Sequence, residues 1–194
     1  MIVHEWGEIS YIEAREKMQE VHTLAREDGQ NHLILCSHPD VFTVGTAEKE
    51  NFEVDVVQSD RGGSITCHSP GQNIYYFCFQ VKDPAKFYKE VLTAFEAFFM
   101  KYLPEVTYNK EQAGFYIQNR KIASLGFRYS QGVSLHGVSL NVDVDLDFHS
   151  QVNPCNLDGI VPTSLANEGV DLTQEAVNAA VVHFLEESFN DAAI

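Results

Sequence analysis

The sequence predicts an α+β fold, with mixed and antiparallel sheets flanked by helices. Two observations carry this prediction. Strand-like and helix-like stretches follow one another unevenly, without the strict β-α alternation of a doubly wound sheet. The 194 residues are 44% hydrophobic and 21% charged, enough for one large core and too few for two comfortable domains. No repeat or low-complexity linker divides the chain, so residues 1–194 read as a single domain.

Taken in order, Ser10 followed by Glu13 forms a capping box, and Tyr11, Ala14, Met18, Val21 and Ala25 recur at helical spacing until Gly29. This first helix reads as scaffold. HLILC is a buried strand, Ser37-His38-Pro39-Asp40 a turn, and a second short strand ends at Gly45. The polar stretch from Thr46 to Asp60 reads as loop. Arg61-Gly62-Gly63 and Ser69-Pro70-Gly71 bracket a five-residue strand, and a longer strand runs from Asn73 to Val81. Glycines after an arginine let the backbone approach a ligand closely, and the arginine can hold a carboxylate or phosphate; a plain hairpin turn explains the same residues.

Asp83 and Pro84 begin a second helix whose stripe of Phe87, Val91, Phe95, Phe98 and Tyr102 stops at Pro104. The stripe belongs in the core, with part of it available to line an apolar pocket. Strands follow at Val106–Tyr108 and Gly114–Ile117. Asn119-Arg120 turns the chain into Lys121–Gly126, and strands continue over Phe127–Tyr129 and Val138–Val144. A last helix starts from a Thr173 cap and faces Val177, Val181, Phe184 and Leu185 inward.

Twenty-eight acidic against 13 basic residues give a net charge of -15, which argues against nucleic acid and anionic membranes. The charge is uneven. Residues 1–60 carry -9, residues 61–128 carry +4 and residues 129–194 carry -10. Only the middle third can face an acidic partner, and Arg61, Lys110, Arg120, Lys121 and Arg128 are expected around a site there. No apolar run approaches the ~20 residues of a membrane span, and MIVHEWGEIS lacks the features of a signal peptide. A cytoplasmic protein is expected.

The four cysteines show no C-x-x-C pairing and no zinc-like cluster, so reduced thiols and no metal are expected. Cys36 and Cys78 sit inside apolar runs. Cys155 sits between Pro154 and Asn156, among turn formers, which marks it as a candidate nucleophile. A thiol acts as its thiolate and needs a nearby cation or base; Lys121, His136 and His149 are the local candidates. No Walker-type or dinucleotide-binding glycine loop occurs.

The pieces HPDVFTVG, RGGSITCHSPGQ, RKIASLGFR, SLHGVSLNV and NPCNLDGIVPTSL, in this order over residues 30–168, resemble the octanoyltransferases of lipoate biosynthesis. The resemblance implies a fold similar to the catalytic domain of biotin and lipoate protein ligases. It also implies transfer of an octanoyl group from acyl carrier protein, through a Cys155 thioester, to a lysine of a lipoyl domain, with no cofactor. Acceptors would be the lipoyl domains of 2-oxoacid dehydrogenase subunits and the glycine cleavage H protein. By the same resemblance Lys121 would lower the pKa of the Cys155 thiol. Arg61, Gly62, Gly63, Ser64, Ile65, Thr66, Cys67 and His68 would contact the acyl substrate, as would Ser124, Leu125, Gly126, Gly137, Val138 and Ser139.

The chain departs from the family pattern at Ser69 and Asn156, where the family has glycine. His68 and His136 are rival bases. The alternatives are an ATP-dependent lipoate or biotin-type ligase, a cysteine hydrolase and a non-catalytic acyl-carrier-binding paralogue. Burying an eight-carbon chain separates it from acetyl by about 5 kcal/mol, but from hexanoyl or decanoyl by only ~1–2 kcal/mol, so pocket depth must do the rest.

Overall fold

In a computed structural model that describes residues 1–46, 54–152 and 159–191, the chain opens with β1 (Ile2–Glu8), the parallel partner of β2 (His32–Ser37). The sequence reading assigns no strand there. β1 is a sheet edge whose residues are half-buried or exposed, so it lacks the continuous apolar run that marks β2. Between them α1 (Tyr11–Asp28) starts and stops at its caps. Ser10 Oγ accepts from the Glu13 N–H at 3.3 Å, and Gly29 donates its N–H to Ala25 O.

Next come β3 (Val41–Val44), β4 (Val56–Gln58) and β5 (Ile65–His68), a small sheet in the order β4-β3-β5. The loop expected over 46–60 therefore contains a strand. Its three residues are exposed or half-buried, and no apolar pattern reveals it. β6 (Gln72–Cys78) is buried at every position. It stops short of the expected Val81, where pairing thins to a single bridge between Gln80 and Val133.

After α2 (Pro84–Tyr102), capped by the Asp83 carboxylate, come β7 (Thr107–Asn109), β8 (Gly114–Ile117), β9 (Arg120–Ser130) and β10 (Val133–Asn141). The turn into β9 falls on Gln118-Asn119, one residue before the expected site, and Ile117 pairs with Arg120. β9 is one strand of eleven residues where two were expected. It is joined to β10 by Gln131-Gly132, at φ 53° and 80°, the two positive angles that a twisted two-residue hairpin requires. That turn moves the start of β10 to Val133, earlier than the expected Val138. The elements α3 (Leu146–His149), β11 (Val161–Pro162) and α4 (Gln174–Asp191) complete the fold.

The main sheet runs β1-β2-β6-β10-β9-β8-β7, with β11 paired to β9. One face packs on α2 and α4 through Leu33, Tyr75, Phe77, Phe79, Val91, Phe95, Phe98, Val181 and Leu185. The other face packs on α1, where Ile34, Ile74, Tyr76 and Leu135 meet Ala14, Met18 and Val21. A third cluster, Phe42, Val44, Ile65, Cys67 and Val152, lies on the small sheet. No described helix is long and apolar enough to cross a membrane.

Candidate active site

A narrow pocket lies on the α1 side of the main sheet, where the small sheet meets it. Its walls are Thr66 and His68 of β5, Ile74 and Tyr76 of β6, Ser124, Leu125 and Gly126 of β9, and His136, Gly137, Val138 and Ser139 of β10, with Arg61 and Tyr11. A second pocket shares Thr66 and Ser124 with the first and adds Lys121, Cys67, Gln72, Asn141, His149 and Val152. Of the candidate site residues named from the sequence, ten therefore converge on the first pocket, His136 among them, and Cys67, Lys121 and His149 on its neighbour. Ile65 goes instead into the core of the small sheet. The Gly62 N–H donates to Phe127 O at 3.3 Å, and Gly62, Gly63 and Ser64 line neither pocket.

Cys155 lies outside the described residues. The chain on either side of it converges on Lys121: Val152 lines the same pocket, and Val161 and Pro162 pair with Arg120 and Lys121. The three other cysteines are free and buried. Burial pushes each thiol upward, Cys78 to about 12, so all three stay protonated and unreactive near neutral pH.

Lys121 is 7% exposed, not the solvated hairpin lysine that its neighbours Asn119 and Arg120 suggest. A β-bulge puts it there. The register between β8 and β9 slips after Phe115, leaving Ile122 as an extra residue. As a result Ile122 and Ala123, adjacent in sequence, both join the core under α2. Regular alternation would send Lys121 into that core beside Ala123; the extra residue turns it to the pocket face. Its Nζ donates to Gln112 O at 3.5 Å and stands 5.5 Å from the centre of the Tyr116 ring. Gly114 makes room for it: a Cβ at that position would come within 2.7 Å of Lys121 Cε and of Ala123 O.

Arg61 faces the pocket, and its guanidinium is built into the wall. Nη2 donates to Thr43 O and Oγ1, both at 2.9 Å, and Nη1 donates to Gly62 O at 3.0 Å. Of the other cations expected at the mouth, Arg120 makes a bidentate pair with Glu168, and Arg128 pairs with Asp60. The local positive face is thus partly neutralised by carboxylates far away in sequence.

His68 and His136 lie in strands rather than turns. His68 Nδ1–H donates to Gln72 Oε1 at 2.7 Å, and burial holds the imidazole well below its usual range, so it is neutral at pH 7. Gln72 Nε2 in turn donates to Asn141 Oδ1 at 2.8 Å, linking the two pockets. His136 Nε2–H donates to Asp60 Oδ1 at 2.6 Å; that bond and Arg128 hold the Asp60 carboxyl below the usual carboxylate range. His136 itself is lowered by burial despite the carboxylate beside it.

Several residues of the site escape the sequence reading. Tyr11, the first residue of the helix taken as scaffold, lines the pocket and donates to Ser59 Oγ at 2.7 Å. Tyr76 donates to His38 Nε2 at 2.8 Å, and His38 donates to Ile9 O. His149, by contrast, is one of the candidates named from the sequence, and its Nε2 meets Ser69 Oγ at 2.8 Å. Ser69 is one of the two departures from the family pattern, so the extra hydroxyl has a buried partner. None of the α2 stripe lines either pocket; it is spent on the core.

The fold places the chain in a structural class. It superposes on the bipartite lipoate protein ligase of Thermoplasma acidophilum with a TM-score of 0.71 at 14% identity, covering 97% of this chain and 83% of that one. On the biotin protein ligase of Leishmania major the TM-score is 0.62 at 12% identity, covering 97% and 75%. At such identities the likeness is one of fold. A family model described as the lipoyl protein ligase A/B catalytic domain matches residues 11–186, and the chain belongs to that family. It is also 37% identical over 177 residues to a protein of Haemophilus influenzae (strain PittEE) named octanoyltransferase, covering 86% of this chain and 84% of that protein.

Proposed function

We propose that this chain is an octanoyltransferase of lipoate biosynthesis. It takes an octanoyl group from its thioester on acyl carrier protein and delivers it to a lysine of a lipoyl domain. The Cys155 thiolate attacks the donor carbonyl and expels the carrier thiol, exchanging one thioester for another. The acceptor amine then attacks the acyl-enzyme, releasing Cys155 and leaving an amide, which is more stable than the thioester. Neither step needs ATP.

One observation carries the mechanism: the bulge that turns Lys121 out of the core and into a buried pocket next to the slot along β9 and β10. An ammonium held at low dielectric favours a thiolate beside it, and a desolvated lysine also gives up its proton more readily to serve as a base for the incoming amine. The buried, protonated state of the described cysteines leaves Cys155 as the candidate nucleophile. The naming of relatives more than 30% identical favours transfer over the ligation named among the fold relatives.

The test is intact mass spectrometry after incubation with octanoyl carrier protein and no ATP. A gain of one octanoyl group, discharged by a lipoyl domain and absent in Cys155→Ser, is expected. A Cys155→Ser protein that still lipoylates with ATP and free acid would identify a ligase. Free octanoate released at a rate indifferent to the lipoyl domain would identify a hydrolase.

A further inference from the structure

This inference rests on the octanoyl-transfer reading and concerns what stops the acyl chain. The slot follows the β9–β10 ladder. From Ser124, which it shares with the Lys121 pocket, it passes the pairs Ser139–Ser124, Val138–Leu125 and Gly137–Gly126, and reaches His136 opposite Phe127. The three strand steps from Ser124 to Phe127 cover about 10 Å, the span of an extended eight-carbon chain.

The far end is closed by polar groups. Tyr11 Oη donates to Ser59 Oγ at 2.7 Å, and His136 Nε2–H donates to Asp60 Oδ1 at 2.6 Å, while Arg128 pairs with the other carboxylate oxygen. Tyr11 and His136 face the slot. Ser59 and Asp60 face an open groove on the outer surface, shared with Arg15, Glu16, Gln19 and Gln58. Two hydrogen-bonded pairs therefore stand between slot and groove, each with one member lining either side. His136 reaches this wall through an unusual backbone: at φ 62° it leaves the face of its partner Phe127 and stacks edge-on against Tyr76.

We propose that this partition, His136–Asp60 with Tyr11–Ser59 beside it, is the length stop of the acyl slot and makes octanoyl the longest chain accepted well. In an apolar slot with open space ahead, two further methylenes would bind about fifteen-fold tighter. Here they would press on a hydrogen-bonded imidazole–carboxylate pair, and parting that pair leaves buried polar groups without partners. The gain becomes a loss at the wall.

The experiment compares kcat/KM for hexanoyl, octanoyl, decanoyl and dodecanoyl carrier protein in wild type, His136→Gly and Asp60→Ala. Glycine suits the positive φ at 136 and removes the ring; Asp60→Ala opens the wall from the groove side. Wild type should fall about ten-fold or more from octanoyl to decanoyl, and in both variants the decanoyl-to-octanoyl ratio should rise about ten-fold or more. A ratio is insensitive to a uniform loss of activity, so a merely structural role would leave it unmoved. Variants that transfer octanoyl with the wild-type ratio would overturn the proposal. Should neither variant fold, a flat wild-type profile through dodecanoyl overturns it and a break after octanoyl supports it. A wild type that forms no acyl-enzyme with any chain refutes the transfer reading instead.

Discussion

Lys121, on β9 just beyond its ladder with β10, and His136, midway along that ladder, both leave the face that strand alternation assigns them, by different means. Lys121 is turned by an inserted residue, Ile122, which shifts the register without a positive φ at Lys121, Ile122 or Ala123. His136 is turned by its own backbone, at φ 62°, with the register on both sides intact. The first device costs one unpaired position in the ladder. The second costs about 1–2 kcal/mol of strain for a residue with a Cβ. The difference suits the two tasks. A buried lysine has to be aimed through a long, flexible side chain, and Gly114 and Tyr116 shape the channel it fills. A short imidazole closing a wall must be fixed at its root.

The largest expected effect breaks the first device. Lys121→Ala should slow acyl-enzyme formation at neutral pH by about two to four orders of magnitude. Deleting Ile122 makes Lys121 the direct neighbour of core-facing Ala123 and so keeps the lysine on the pocket face opposite Tyr116; this variant should acylate far faster than Lys121→Ala. Rapid-quench mass spectrometry of the octanoyl adduct measures both, and a deletion variant as slow as Lys121→Ala would refute this account of how register aims the lysine.

A milder perturbation keeps the bulge and crowds the channel. Gly114→Ala places a methyl against Lys121 Cε and Ala123 O, so a stability loss of about 1–3 kcal/mol is expected in denaturant melts. The acylation rate should fall more than for an alanine placed in the exposed turn at Gly132, where nothing lies within 4 Å of the added carbon.

At the second device the comparison is one of strain. His136→Gly should be more stable than His136→Ala by about 1 kcal/mol, because both lose the ring and only alanine keeps the penalty of a positive φ. Equal denaturation midpoints would mean that the backbone relaxes once the imidazole is gone.

The smallest effect is a pH dependence at the Lys121 end. Burial pushes the His149 pKa down to about 4, below its unfolded value near 6.5. The unfolded chain therefore takes up the proton first, and stability falls as the pH drops from about 6.5 towards 4, below which this contribution is flat. His149→Gln, which can still bond Ser69, should flatten that part of the curve of Tm against pH. If wild type and variant decline in parallel, His149 is not the group responsible.

Much of this architecture is legible in the residues. Ser10, Gly29, Asp83, Pro84 and Thr173 mark helix ends that the structure keeps, because capping is settled within one turn of chain. The apolar runs of β2 and β6 announce strands buried on both faces. The edge strand β1 and the three-residue β4 are passed over, since a strand that is half exposed or pairs briefly carries little apolar signal. The site divides along the same line. The motif pieces name most of the pocket wall, while Tyr11, Ser59 and Asp60 come from stretches that read as scaffold and loop.

By itself, then, the sequence determined the helices, the buried strands, the acid-rich surface and the residue types able to carry acyl chemistry, all of which depend on neighbours a few positions apart. Only the tertiary structure decided which face Lys121 and His136 occupy, that Arg120 and Arg128 are matched by Glu168 and Asp60, and that one helix end and one loop close the slot. Those outcomes depend on ladder register and on contacts between residues tens of positions apart. A single inserted residue or one reversed dihedral changes them without disturbing the local pattern.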